Sequence, residues 1–498
     1  MWTRERLAVL GQTATVAVIT AATFLAFFLR DYLLMRADST GYALDVFYTG
    51  MVVPTLFVNV LLVPLGTALV PHFVGSGLLR GGPGAWPELT RLVLRLSAVL
   101  ATVALLLATL FGSYAQWIAP GFDAQKLAAV REVLLVGAAI MALGGSLIVL
   151  NAALNASGNQ AVAALAQLAV AVVAVAAVLT LYPALGVMAA AWGMLAGQAV
   201  NLALLLFYLW GRGRAEPPSA AGPGLRLSAK ALTLQYLPLV GASLLAGLTL
   251  PITNTLAAAL PAGSVALFGF GYKVILFLTG VIATALTAVV VPYFASRHDT
   301  AKELAEHDTS FFLWVITLAT LPVVMAVYGW ADAAVAVILP WPAQAGGTAG
   351  MTRVIKIGIV QLPFFGVSVV LTRYLIAARR SAHVFFAATL SVAVLVVAGR
   401  LLESRFGLAG IAAATTLSAG VMSVYLLVVL SHAGQVSLPH LVSTLVFWML
   451  FITMSVCLHY KSYTGIVICC FCILLLLAAN RDAIRPWLRL NAASRPRF

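Results

Sequence analysis

Apolar runs long enough to cross a bilayer recur along the whole chain, and no other feature limits the fold as much. A spanning helix needs about 20 mostly apolar residues. About fourteen runs qualify, near 7–35, 42–71, 91–112, 131–154, 160–181, 185–210, 232–258, 265–294, 309–329, 353–378, 382–402, 407–430, 440–459 and 463–480. With 62% hydrophobic and 9% charged residues, the chain has too little polar surface to cover a soluble core of this size. Inside a bilayer the backbone must satisfy its own hydrogen bonds, which leaves helices or closed barrels. The alternating pattern of a membrane barrel is absent. The expected fold is an all-α membrane protein of about 14 transmembrane helices. Arg4 and Arg6 precede the first run, which is long enough to span and reads as an uncleaved helix.

The net charge of +14 does not point to nucleic acid. The charges lie in short loops and in the tail, as orientation signals do. With the N-terminus in the cytoplasm, the cytoplasmic segments hold roughly twice as many Lys and Arg as the outside ones. Lys126 counts among the outside charges. Both termini are therefore expected to be cytoplasmic.

An internal repeat divides the chain. "ALVPHF" at 68–73 and "VVVPYF" at 289–294 stand 221 residues apart, and the same offset pairs Phe47 with Phe268, Gly50 with Gly271, Leu154 with Leu375 and Gly186 with Gly407. Six helices per copy is an even number, so both copies enter the membrane in the same direction. The expectation is two parallel six-helix lobes, 1–211 and 231–431, related by a pseudo-two-fold axis along the membrane normal. A Pro/Gly/Arg-rich linker at 212–230 joins them. Two extra helices at 432–480 and a basic tail at 481–498 follow. Parallel lobes with short loops point to a transporter that alternates access around a midplane site.

Ionisable groups inside spans are costly and usually face a bundle interior or a wet cavity. Arg30, Asp45, Lys273 and Arg373 are the candidates. Under the 221 offset Arg30 pairs with Pro251, Asp45 with Ala266, and Lys273 with Val52. The repeat keeps the scaffold and drops the charges, as an asymmetric substrate would require. Asp45 and position 52 lie two turns apart on one face of a helix, so Asp45 and Lys273 are expected to line one cavity. Competing readings stand beside these. Arg30 and Lys273 also fit snorkelling cations, Asp45 a charge at a helix N-terminus, and Arg373 the cytoplasmic interface with Arg379 and Arg380. Asn59, following Pro54 on the Asp45 helix, is the best uncharged cavity candidate. Cys457, Cys469, Cys470 and Cys472 sit in the last two runs and read as apolar packing groups. No catalytic constellation, nucleotide loop or metal-ligand spacing appears, so neither an enzyme nor a cofactor is expected.

At "RDYLLMRADSTGYALDVFYTGMVVP" the chain resembles the MviN/MurJ family of lipid II flippases, within the superfamily of multidrug, oligosaccharidyl-lipid and polysaccharide exporters. Arg30, Asp31, Asp45 and Pro54 match the family pattern in type and spacing. So do Val70-Pro71, "LNASGN" at 154–159, and "SVALFGFGYKVILFLTGVIATALTAVVVP" at 264–292, where a family arginine falls at or beside Lys273. The resemblance implies two six-helix lobes in a V and a flippase for an undecaprenyl-pyrophosphate-linked sugar in the bacterial inner membrane. It implies that Arg30 and Lys273 hold the pyrophosphate, with Asp45 and Asn59 as cavity or coupling groups and Arg373 as a further candidate. Helices thirteen and fourteen would supply a groove for the polyprenyl tail. Where the lipid II flippases carry basic residues after the second-helix proline, this chain has Val58 and Asn59. That departure favours an exopolysaccharide repeat unit over lipid II as cargo, a polysaccharide flippase of the Wzx kind. Lipid II and a cation-coupled multidrug or metabolite antiporter are the alternatives. The implied partners are the lipid-linked glycan, membrane lipid, a proton or sodium ion for coupling, and a glycan polymerase or glycosyltransferase.

Overall fold

The structure is a computed structural model. It describes residues 4–38, 41–76, 85–156, 159–215, 243–297, 302–338, 347–377 and 380–432, with isolated positions at 236, 240–241 and 453. Most of the linker, the thirteenth and fourteenth expected spans, the basic tail and the four cysteines lie outside the described residues.

Every described element is helical: α1 (Arg4–Ala37), α2 (Tyr42–Phe57), α3 (Val63–Ser76), α4 (Ala85–Thr109), α5 (Phe111–Ile118), α6 (Ala124–Ala156), α7 (Gln160–Leu185), α8 (Met188–Ala215), α9 (Thr249–Ala258), α10 (Ser264–Arg297), α11 (Lys302–Ile338), α12 (Gly347–Gly358), α13 (Leu362–Ala377), α14 (Ser381–Phe406) and α15 (Leu408–His432). Ten spans among the described residues are long and apolar enough to cross a membrane. The chain falls into two compact units, Met1–Lys273 with Ala336–Met351, and Val274–Val335 with Thr352 onward.

In the first unit α1 packs on α7, α7 on α8, and α2 and α4 on α6. Its apolar centre includes Leu69, Phe73, Leu89, Leu150 and Leu205. Apolar burial alone does not bring helices together in lipid, so small residues set the close approaches. A Cβ on Gly197 of α8 would stand 2.8 Å from the Val170 Cα and carbonyl oxygen of α7. Backbone cannot swing aside as a side chain can. Gly197→Leu is therefore expected to force the two helices apart, costing about 1–3 kcal/mol, read as a lower melting temperature of the purified chain in detergent.

Two prolines shape the second span. Pro54 and Pro64 each remove one backbone N–H and so one helical rung. Between them Val58–Leu62 forms a π-turn. The Val58 N–H is shared by the Pro54 and Thr55 carbonyls, and the Val63 N–H reaches back five residues to Val58. The bulge carries Asn59 on an exposed position. In the second unit Ile359–Gln361 tightens into a 3-10 turn just before Pro363. Hydroxyls from α15 serve the carbonyls nearby: Thr416 donates to Ile357 at 3.0 Å and Ser423 to Phe364 at 2.6 Å. The core there gathers Ile359, Leu362, Val367, Leu371, Leu426 and Leu427.

Candidate functional site

One charged cluster in the first unit is built around Asp31 on α1, a carboxylate that is 0% exposed. Arg30 donates to its Oδ1 twice, from Nε at 2.8 Å and Nη2 at 2.6 Å. Nη1 of the same guanidinium lies 2.9 Å from Met194 Sδ. Its plane is flanked by the rings of Phe27, 5.1 Å away, and Phe47, 4.6 Å away. Asp31 Oδ2 accepts from the Tyr48 hydroxyl at 2.7 Å and is ion-paired with Lys273 Nζ. The Lys273 ammonium also lies 4.8 Å from the centre of the Tyr48 ring. A tilted ring contact between Phe28 and Phe270, 4.5 Å between centres, packs α1 against the start of α10.

The cluster has two cations and one anion. The guanidinium is held by Asp31, Met194 and two rings, and Arg30 is 4% exposed. The Lys273 side chain is 28% exposed. The surplus positive charge therefore has one open face, and it is an ammonium with donors to spare. Such a group can bind a phosphate oxygen through charge-assisted hydrogen bonds.

Asp45 belongs to a different set of contacts. Its Oδ2 accepts from Lys126 Nζ at 2.6 Å and from the Gly263 N–H at 2.7 Å, and its Oδ1 accepts from the Ala266 N–H at 2.6 Å. The carboxylate thus caps the N-terminus of α10, where backbone N–H groups and the helix dipole favour an anion. Ala266 is the residue 221 positions on from Asp45. Lys126, 5% exposed, rests over the Phe122 ring at 3.9 Å and the Tyr42 ring at 5.5 Å. Gly41 and Gly263 sit at φ 74° and 87°, a region that favours glycine. A Cβ on Gly41 would lie 3.2 Å from Gly263 Cα, so the two chain turns touch at backbone distance.

Of the residues picked from sequence, Arg30 and Lys273 come together through Asp31. Asp45 is held by Lys126 and backbone instead, and Asn59 stands apart on the π-turn. Arg373 lies in α13, and its side chain is outside the described residues. Sequence reasoning gave no role to Tyr48, left Asp31 as a motif residue, and counted Lys126 as a loop charge. The available signal for Lys126 was weak. It opens α6 with its N–H on the Asp123 carboxylate at 2.7 Å, the pattern of an ordinary helix start. Asp38, read as a loop charge, accepts from the Ala43 N–H at 2.6 Å and so caps α2.

A family model described as the lipid II flippase MurJ matches residues 39–476. The chain belongs to the MurJ lipid II flippase family. Its spanning helices make it a multi-pass membrane protein with the fold of lipid-linked flippases. Among solved structures, a lipid II flippase MurJ in an inward closed conformation is similar over 94% of this chain and 99% of its own, with a TM-score of 0.71 and 14% identity. An inward-facing multidrug resistance MATE transporter of the MOP superfamily covers 83% of this chain and 96% of its own, with a TM-score of 0.61 and 14% identity. A MOP superfamily transporter from Pyrococcus furiosus, described as having a binding pocket of reverse polarity, covers 83% and 93%, with a TM-score of 0.59 and 14% identity. No curated protein matches the chain by sequence. At such identities the structural likeness speaks for the fold alone.

Proposed function

We propose that this MurJ-family chain flips an undecaprenyl-pyrophosphate-linked oligosaccharide from the cytoplasmic to the periplasmic leaflet of the bacterial inner membrane. It does so by alternating access, with no chemical step. The observation that carries the reading is the charge of the buried Asp31 cluster. Two cations share one carboxylate within membrane-spanning helices, and the open face belongs to Lys273. An uncompensated cation is expensive at that depth unless an anion visits it, and a pyrophosphate on a lipid carrier does so while staying in the membrane. The same polarity disfavours the cationic cargo of a multidrug antiporter, the further alternative on this fold.

The full architecture in this reading is fourteen spans, in two six-helix lobes with two extra helices and both termini cytoplasmic. The cargo is an exopolysaccharide repeat unit, supported by Val58 and Asn59 at positions where lipid II flippases carry basic residues. Lipid II is the second reading, favoured by the family match itself. Reconstitution in vesicles with a fluorescent undecaprenyl-pyrophosphate oligosaccharide tests the proposal. Quenching from outside should reach lipid placed in the inner leaflet at a rate set by the protein. A rate equal to that of empty vesicles rejects it.

A further inference from the structure

Asp31 is met by four donors, two on each carboxylate oxygen, as many as its lone pairs can serve. Arg30 takes Oδ1 with two N–H groups. Oδ2 is shared between the Tyr48 hydroxyl at 2.7 Å and the Lys273 ammonium. We propose that Tyr48 is a positioning residue for cargo recognition: its hydroxyl shares Asp31 Oδ2 with Lys273, so the carboxylate stays partnered when the ammonium turns to a phosphate. The inference rests on the proposed cargo and deepens it.

Three observations carry it. The cluster exposes Lys273 while burying Arg30 and Asp31, so the ammonium is the group that can leave. When it leaves, Asp31 keeps Arg30 and Tyr48 and is not stranded. A carboxylate without partners at that depth would be costly. With Tyr48 already on Oδ2, less is lost when Lys273 swaps its anion.

The third observation is the room made for the ring. A Cβ on Gly269 would stand 2.5 Å from Tyr48 Cε2 and 2.6 Å from Cδ2. Any larger residue at 269 displaces the ring. Gly269 and Lys273 are four residues apart on α10 and so share a helix face. The glycine thus makes the space in which the tyrosine lies, directly beside the lysine that it serves.

The test uses the full-length chain in vesicles with a fluorescent undecaprenyl-pyrophosphate disaccharide. Tyr48→Phe keeps the ring and removes the hydroxyl. Its KM should rise by roughly ten-fold, the scale of one hydrogen bond to a charged group, with kcat within about two-fold. Gly269→Ala, which moves the ring, should raise KM at least as much. A second readout needs no cargo: the rate at which a small acylating reagent modifies Lys273, followed by peptide mass spectrometry, should fall in Tyr48→Phe.

A Tyr48→Phe variant with wild-type KM and wild-type Lys273 reactivity overturns the inference. So does a loss confined to kcat, which would mark Tyr48 as merely structural. If the wild-type chain moves no pyrophosphate lipid but Lys273 reactivity still falls in Tyr48→Phe, the cargo reading fails and the positioning of Lys273 stands.

Discussion

Lys273→Met is expected to cut translocation of a pyrophosphate-linked lipid by about 100-fold, while Lys273→Arg keeps most of the activity. A charge-assisted bond to a desolvated phosphate, truncated on one side, costs about 2–5 kcal/mol, and about 2.8 kcal/mol is a hundred-fold. The fold should survive the change. Asp31 retains two bonds from Arg30 and one from Tyr48, so no buried charge is left alone. The loss should therefore appear in initial rates in vesicles, with the melting temperature in detergent close to wild type. Arg30→Met should behave in the opposite way. It removes the main partner of a carboxylate that is 0% exposed, so stability falls first. A Lys273→Met variant that flips lipid at the wild-type rate would remove Lys273 from the site.

Lys126→Met is expected to destabilise the chain by about 3–5 kcal/mol, the usual cost of leaving one member of a buried ion pair. Asp45 is 1% exposed and would keep only the N–H groups of Gly263 and Ala266. Adding Asp45→Asn should restore part of the loss, because it removes the buried charge, while its single amide oxygen can accept from only one of the two N–H groups. The melting temperatures of the single and double variants form the cycle that isolates the pair. The same Asp45→Asn variant addresses ion coupling. If Asp45 carries the coupling proton, transport in the variant should lose its dependence on pH. An unchanged pH dependence assigns Asp45 to the cap on α10 alone.

The helices were legible because apolar length is a strong signal. The first six expected spans, and the eighth to twelfth, each coincide with observed helix; the seventh is described only over its second half. The charged contacts were less legible, for physical reasons. Neighbouring residues on a helix point about 100° apart, so Arg30 and Asp31 do not read as a pair. The arginine is long enough to fold back on its neighbour. Lys126 counts among the outside charges because it lies ahead of the expected fourth span, 131–154. Here an aromatic bed and a carboxylate from another helix draw the side chain inward. Asp45 reads from sequence as a cavity group or as a charge at the start of its own helix; it lies in the first turn of α2 and also meets the N-terminus of the helix that begins at Ser264. Sequence spacing carries no information about a neighbour 218 residues away. The π-turn at Val58–Leu62 was foreshadowed by Pro54 and Pro64, yet two prolines alone do not say how a helix absorbs the missing rungs.

The most direct test of the central claim compares two cargoes in the same vesicles. One is an oligosaccharide on undecaprenyl pyrophosphate, and the other is a cationic amphiphile of the kind that multidrug antiporters export. The excess positive charge around Asp31 predicts protein-dependent leaflet exchange of the pyrophosphate lipid, abolished in Lys273→Met, and none for the cation. Exchange of the cation, with the pyrophosphate lipid moving no faster than in empty vesicles, would contradict the account.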